Sequence, residues 1–229
     1  AAGKVAALEA CLDASPLVGS VGIAHTRWAT HGRPTEHNAH PHQSGDSLAV
    51  VHNGIIENFE MLKTELEGQG YAFTSQTDTE VIAHLVGREF TLGQDLLASV
   101  QRVLATLDGA YALGVVHRGE PDTLIGARKG SPLVVGVGIE EAFLASDPLA
   151  LLQVTDRFIY LQEGDVVRLR RGGSIEIFDA AAPDKVEPAI DQFPGHPVCQ
   201  WTPSTPTTPG AVVVGDNRRS DLPRVAFWL

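Results

Sequence analysis

Seven short β runs follow one another between residues 109 and 178, and they constrain the fold of this chain more than any other feature. Gly, Asp and Pro turns separate the runs, which is typical of largely antiparallel sheets. A short helix is predicted at residues 148–152, within the series. The runs are A-Y-A-L-G-V-V-H, D-T-L-I-G-A-R, P-L-V-V-G-V-G, A-F-L-A-S-D, R-F-I-Y-L, D-V-V-R-L and S-I-E-I-F.

Helical spacing of apolar residues appears earlier in the chain. It predicts a short helix over residues 4–13, another that begins near Ile56 and ends near Gly68 or Gly70, and a later one over residues 93–107. Between the last two, Thr77 and Glu80 fit a capping box at the start of a further helix.

Two strands are predicted before these central helices, over residues 20–29 and 48–52. The second strand ends at Asn53-Gly54, which is read as a turn leading from strand to helix. Strands and a central helical layer in one chain indicate an α+β layered domain.

Composition narrows the class of protein. The 229 residues are 43% hydrophobic, enough for one good-sized domain with a buried core. The net charge of -11 and the lack of a Lys/Arg cluster argue against a nucleic-acid partner. No run approaches the roughly 18 apolar residues of a membrane span, and the N-terminus lacks the apolar core of a secretory signal. We therefore predict a cytoplasmic protein that does not contact a membrane, with reduced thiols at its two cysteines.

The composition changes after residue 190. Five prolines occur from Pro194 to Pro209, and closely spaced prolines disfavour both helices and central strands. We predict one domain over residues 1–190, and a Pro-rich linker or disordered tail over residues 191–229.

A histidine-rich stretch over residues 25–58 has the composition of a binding site. It holds six of the nine histidines, and polar side chains lie between two short apolar strands. A metal site at His37, His40 and His42 is one interpretation, but the stretch has no cysteine and no H-E-x-x-H helix, and Pro41 divides the last pair. Hydrogen-bonded histidines without a metal are the favoured interpretation, and no cofactor is expected.

Eight motifs in order make the sequence similar to a known family. They resemble the glutaminase domain, a class II glutamine amidotransferase domain, of the glutamine:fructose-6-phosphate aminotransferases, over residues 15–180. Glutaminase domains of other class II enzymes, such as amidophosphoribosyltransferase and asparagine synthetase, are the nearest alternatives. The motifs are G-I-A-H-T-R-W-A-T-H-G, N-A-H-P-H, V-V-H-N-G-I-I-E-N, T-D-T-E-V-I-A-H-L, G-A-Y-A-L, R-K-G-S-P-L-V-V-G, F-L-A-S-D and F-I-Y-L-Q-E-G-D.

The resemblance implies a fold and an activity. The fold is the four-layer α-β-β-α sandwich of the N-terminal-nucleophile hydrolases, with two mainly antiparallel sheets. The activity is hydrolysis of the L-glutamine side-chain amide. In the parent enzyme the ammonia passes to a sugar-phosphate isomerase domain that converts fructose 6-phosphate to glucosamine 6-phosphate, and the parent is expected to be a homodimer.

Four residues are candidates for binding glutamine and stabilising its reaction. A free amino acid needs a cation for its α-carboxylate and an anion for its α-ammonium, and Arg27 and Asp78 fit these roles. A surface salt bridge for Arg27 and a helix cap at Asp78 are the structural alternatives. The Asn53 side chain and the Gly54 N–H match the family's oxyanion hole, although an ordinary Asn-Gly turn would have the same sequence.

Further residues match the family's glutamine pocket. Thr30 and His31 match positions that line it, Trp28 resembles the gate toward the ammonia channel, and His40 lies in the matching N-A-H-P-H loop.

The family's nucleophile is an N-terminal cysteine whose own α-amino group acts as the base. Neither Cys11, in a predicted helix, nor Cys199, in the Pro-rich part, fits that position. We therefore interpret the chain as an N-terminally truncated fragment that lacks the leading strands, and we expect marginal stability. A non-catalytic glutamine-binding module is the alternative.

Overall fold

The computed structural model describes residues 5–26, 35–178, 186–188, 198–200 and 225–228. These residues form four α-helices, two 3-10 helices and thirteen strands. The helices are α1 (Val5–Ala14), α2 (Phe59–Gly68), α3 (Thr79–Thr91) and α4 (Leu96–Leu104), with 3-10 helices at Glu36–Asn38 and Pro148–Leu151. The strands are β1 (Val21–Ala24), β2 (His42–Ser44), β3 (Leu48–Ile56), β4 (Gly109–His117), β5 (Thr123–Lys129), β6 (Val134–Val137), β7 (Ala142–Ala145), β8 (Arg157–Tyr160), β9 (Val166–Arg170), β10 (Ser174–Phe178), β11 (Val186–Pro188), β12 (Val198–Gln200) and β13 (Val225–Trp228).

The strands form two sheets. The seven-stranded sheet has the order β11-β10-β9-β5-β4-β3-β2, and all of its neighbours are antiparallel. The six-stranded sheet has the order β1-β13-β7-β6-β8-β12. In this second sheet β13 runs parallel to both β1 and β7, whereas the other pairs are antiparallel.

Two buried clusters hold the layers together. In the first, α2, α3 and α4 pack on one face of the seven-stranded sheet, with α3 against β2 and β3. In the second, the opposite face of that sheet packs on the six-stranded sheet. Because successive residues of a strand point to opposite faces, β3 places Val50 and Ile56 under the helices and Val51 between the sheets. The strand that carries the candidate oxyanion residues thus lies between two cores.

The secondary structure confirms most of the elements predicted from the sequence. The seven β runs are β4 to β10, and the four helices lie where apolar spacing places them. The first strand is shorter than predicted, because it ends at Ala24, and the rest of its predicted range includes residues 27–29, outside the described part.

The prediction of a turn at Asn53-Gly54 is wrong. Strand β3 continues through both residues to Ile56, which pairs with Gly109 of β4. A turn was expected because Asn-Gly is a strong local signal. Here pairing with β4 along the full length of β3 outweighs that local preference.

The division at residue 190 stays a prediction. Two described strands come from beyond that point: β12 pairs with β8 at one edge of the six-stranded sheet, and β13 lies within the sheet.

Over the described residues, no helix combines the length and apolar character needed to cross a membrane.

Candidate active site

Asn53 and Gly54 occupy neighbouring positions near the end of β3. Gly54 has φ 137, and a Cβ at this position would lie 2.0 Å from the carbonyl oxygen of Ala110. A side chain therefore cannot be accommodated while β3 and β4 remain paired. Gly54 is needed for the close approach of two strands, rather than for a turn.

The half-buried Asn53 side chain lies on the face of β3 that looks toward the six-stranded sheet, as Val51 does. Its Oδ1 lies 2.9 Å from Nε2 of His25. His25 directly follows β1, a strand of the other sheet. The contact therefore joins the two sheets at the candidate oxyanion residue.

His52 lies on the opposite face of β3, under the helical layer. Its Nδ1 is 2.9 Å from the hydroxyl of Thr79, and its Nε2 is 3.4 Å from the carbonyl oxygen of Ala110. Burial lowers the pKa of His52, and this outweighs the opposing effect of the nearby Asp78 carboxylate. The ring is therefore neutral at pH 7, donating through Nε2 to the carbonyl and accepting the Thr79 hydroxyl proton at Nδ1.

Asp78 immediately precedes α3 and is buried, with 7% of its surface exposed. Its Oδ2 accepts the backbone N–H of Ile56 at 2.8 Å, and its Oδ1 is 3.5 Å from the Thr79 hydroxyl. The side chain makes no capping hydrogen bond to α3, so the helix-cap interpretation of Asp78 is wrong. Instead, the carboxylate holds the end of β3, two residues beyond Gly54.

The capping box predicted at Thr77 and Glu80 is also not formed. The Glu80 carboxylate accepts the N–H and hydroxyl of Thr74 and the N–H of Ser75. Burial alone would raise the pKa of Glu80, but these hydrogen bonds together outweigh it and hold the pKa below its usual value. The Thr77 hydroxyl lies 2.9 Å from Nε2 of His42. Glu80 thus anchors the loop before α3 rather than the first turn of the helix.

Three histidine rings contact one another beside Asn53. His40 accepts the backbone N–H of His52 at its Nδ1, 3.2 Å away. The His40 ring centroid lies 4.2 Å from that of His25 and 4.9 Å from that of His42. Four histidines of the His-rich stretch, His25, His40, His42 and His52, take part in hydrogen bonds, as predicted.

Among the described residues, no three His, Cys, Asp or Glu side chains lie together in a way that could hold a metal ion.

Four predicted site residues, Arg27, Trp28, Thr30 and His31, lie outside the described residues. Of the others, Asn53 and Gly54 lie near the end of β3, and the Asp78 carboxylate accepts the N–H of Ile56 at that end. His40 contacts the same strand, because its Nδ1 accepts the N–H of His52. Their roles toward glutamine stay predictions.

Sequence reasoning did not single out His25, His52 or Thr79. The number of histidines between residues 25 and 58 was a signal that several contribute to one site. It does not show which of them contact Asn53 or Asp78, because those contacts depend on how two sheets and a helix meet.

Residues 25–153, more than half of the chain, match the model of the glutamine amidotransferase domain. The chain therefore belongs to the glutamine amidotransferase family, as a domain of class II. Within that family it matches the enzymes named glutamine–fructose-6-phosphate aminotransferase (isomerizing). It is 62% identical to the enzyme of Acinetobacter baylyi over 176 residues, and 54% identical to that of Pseudomonas aeruginosa over 193 residues. The matches cover 77% and 84% of this chain, but only 28% and 31% of those relatives.

Two solved structures share the fold. Glutamine phosphoribosylpyrophosphate amidotransferase from B. subtilis aligns with a TM-score of 0.54 at 27% identity, covering 68% of this chain and 34% of that protein. The allosteric regulatory enzyme of purine biosynthesis aligns with a TM-score of 0.52 at 28% identity, covering 62% and 31%. These likenesses confirm the α+β fold with two mainly antiparallel sheets, and the family matches confirm the resemblance found in the sequence.

Proposed function

We propose that this chain is the part of a glutamine–fructose-6-phosphate aminotransferase that binds L-glutamine and releases ammonia from its side-chain amide. The observation that carries the proposal is the arrangement at the end of β3. There, Asn53 and Gly54 are neighbours in the strand, and the backbone N–H of Ile56, two residues after Gly54, donates to the buried Asp78 carboxylate. All three residues lie within the family match.

Asn53 and Gly54 supply the oxyanion hole in this proposal. A primary amide and a backbone N–H are both hydrogen-bond donors, which is what the developing negative charge on the amide oxygen requires. Gly54 is exposed, and no side chain at that position covers its N–H. Each such donor is worth about 3 kcal/mol of transition-state stabilisation when it is removed.

Asp78 binds the α-ammonium group of glutamine, and Arg27 binds the α-carboxylate. A carboxylate can accept about four hydrogen bonds, and Asp78 spends one strong bond on the N–H of Ile56. Among the described residues, its Oδ1 contacts the Thr79 hydroxyl at 3.5 Å, so this oxygen retains capacity for a charged donor. Both roles, structural and substrate-binding, fit one side chain.

In this proposal the attacking thiol belongs to the N-terminal cysteine that the family resemblance implies. Cys11 lies in α1 and Cys199 in β12, and both are exposed.

The whole protein has the four-layer α-β-β-α sandwich, a sugar-phosphate isomerase domain that uses fructose 6-phosphate, and a homodimeric assembly in the cytoplasm. The 54–62% identity to the two aminotransferases supports these finer points.

Calorimetric titration of the 229-residue chain with L-glutamine tests the binding step without needing the nucleophile. We expect L-glutamine to bind and D-glutamine not to bind. Loss of a hydrogen bond between charged groups costs about 1.5–3 kcal/mol, so Arg27→Ala and Asp78→Asn should each weaken binding about tenfold or more. Asp78→Asn retains an acceptor for the Ile56 N–H, and Asp46→Asn, at an exposed turn, is the matched control.

Equal binding of both glutamine enantiomers, or unchanged binding by Asp78→Asn, would reject this proposal for the site. In the full-length protein, the same two variants should slow glutamate release, whereas Asp46→Asn should not.

A further inference from the structure

His25 contacts the functional end of Asn53. The two sides of a primary amide differ only in which carries oxygen and which carries nitrogen, and rotation about the last side-chain bond exchanges them. For Asn53 to stabilise an oxyanion, its Nδ2 must face the substrate, because Oδ1 would repel the developing charge. The arrangement with Oδ1 toward Nε2 of His25, at 2.9 Å, leaves Nδ2 on the other side.

The His25 ring is itself held in place through His40. The two rings lie 4.2 Å apart between centroids with an interplanar angle of 32°. His40 accepts the backbone N–H of His52, the residue directly before Asn53. The same point of β3 is therefore held twice, at the backbone by His40 and at the side chain by His25, and the two rings pack on each other.

The far side of this cluster is anchored as well. His42 packs edge-on against His40 at 4.9 Å and reaches the Thr77 hydroxyl in the loop before α3. His25 directly follows β1 of the six-stranded sheet, whereas His42 and Asn53 belong to the seven-stranded sheet. The position of the Asn53 amide therefore depends on how the two sheets are packed.

We propose that His25 is a positioning residue for glutamine hydrolysis: its Nε2–H donates to Oδ1 of Asn53 and fixes the amide with Nδ2 directed at the carbonyl oxygen of the substrate. This inference rests on the proposed function, because it assigns a partner to the oxyanion residue of that reaction. In this role His25 acts through Asn53.

The test is a double-mutant cycle on glutamate release by the full-length protein, with His25→Ala, Asn53→Ala and the double variant. Removing the oxyanion donor in Asn53→Ala should lower kcat by about 10²–10³-fold. A single neutral hydrogen bond is worth about 1 kcal/mol, so His25→Ala should lower kcat about five- to tenfold with little change in KM. In the Asn53→Ala background, His25→Ala should have no further effect, because the side chain that it positions is gone.

Two substitutions at His25 separate the hydrogen bond from ring packing. His25→Gln has an amide N–H that can donate to Oδ1 but loses the aromatic ring, whereas His25→Phe retains a ring against His40 but has no donor. We expect His25→Gln to recover part of the lost kcat and His25→Phe to be as slow as His25→Ala. In addition, nitrogen NMR of the labelled 229-residue chain should show the His25 proton on Nε2.

The outcomes distinguish the two proposals. If Asn53→Ala leaves kcat unchanged, the oxyanion role fails, and the proposed function of the site fails with it. If Asn53→Ala is slow but His25→Ala slows both backgrounds equally, His25 has only a structural role and the positioning proposal is overturned. A faster His25→Phe than His25→Gln, or a His25 proton on Nδ1 alone, would overturn it as well.

Discussion

Substitution of Gly54 by alanine should lower the free energy of unfolding by about 3–5 kcal/mol. A non-glycine residue held at the φ of 137 found there costs about 1–3 kcal/mol in backbone strain. The added Cβ would also lie 2.0 Å from the carbonyl oxygen and 2.7 Å from the carbonyl carbon of Ala110. Both atoms belong to the backbone, so the contact is relieved only by separating β3 from β4. That separation weakens ladder hydrogen bonds worth about 1 kcal/mol each.

Gly45→Ala is the matched control for this experiment. Gly45 also has a positive φ, of 57, but an added Cβ would meet no atom within 4 Å. Gly45→Ala should therefore lower the free energy of unfolding only by the cost of a left-handed alanine, about 1–2 kcal/mol. Urea unfolding of both variants and the parent, followed by circular dichroism, gives the two differences. Equal losses for Gly54→Ala and Gly45→Ala would refute the argument that β3 and β4 approach too closely for a side chain at Gly54.

Two further predictions concern stability. Glu80→Gln should cost about 2–3 kcal/mol in urea unfolding, because the amide NH2 would face a loop N–H where a carboxylate oxygen now accepts it. The exposed Glu67→Gln should change stability by less than about 0.5 kcal/mol, and similar losses for the two would contradict the anchoring role of Glu80. Burial lowers the pKa of His52 in the folded chain. Below pH 6.5, the ordinary pKa of histidine, the unfolded chain therefore binds more protons than the folded chain does. The free energy of unfolding should fall as the pH drops from 6.5 toward the pKa of His52 in the folded chain. The contribution of His52 to that slope is at most about 1.4 kcal/mol per pH unit, and it should vanish in His52→Gln; an unchanged slope would contradict it.

Local pattern was sufficient for most of the secondary structure. The runs that became β4 to β10 are short and bounded by turn residues, and the helices show apolar residues at helical spacing. Both signals depend on neighbours along the chain, so they can be read without the fold. The family resemblance likewise rested on residues as they stand in the sequence.

Local pattern failed where a distant partner decided the outcome. Asn53-Gly54 has the sequence of a turn, but β4 pairs with it across more than 50 residues and keeps it in a strand. Thr77 and Glu80 have the spacing of a capping box, but the loop folds back so that Thr74 and Ser75 reach the carboxylate instead. The contact between His25 and Asn53 joins two sheets, and no spacing rule predicts it.

The register of β3 against β4 links stability to the candidate chemistry. Gly54 and Gly109 both lie at the same end of this ladder, and a Cβ on Gly109 would come within 2.2 Å of the carbonyl oxygen of Ile55. Two glycines at one end let the strands approach more closely than side chains would allow. A shift of one residue would exchange the two faces of β3, placing Asn53 under the helices and His52 between the sheets. In the present register both glycines occupy crowded positions, so the pair that permits the close approach favours the register that places the Asn53 amide on the side of His25.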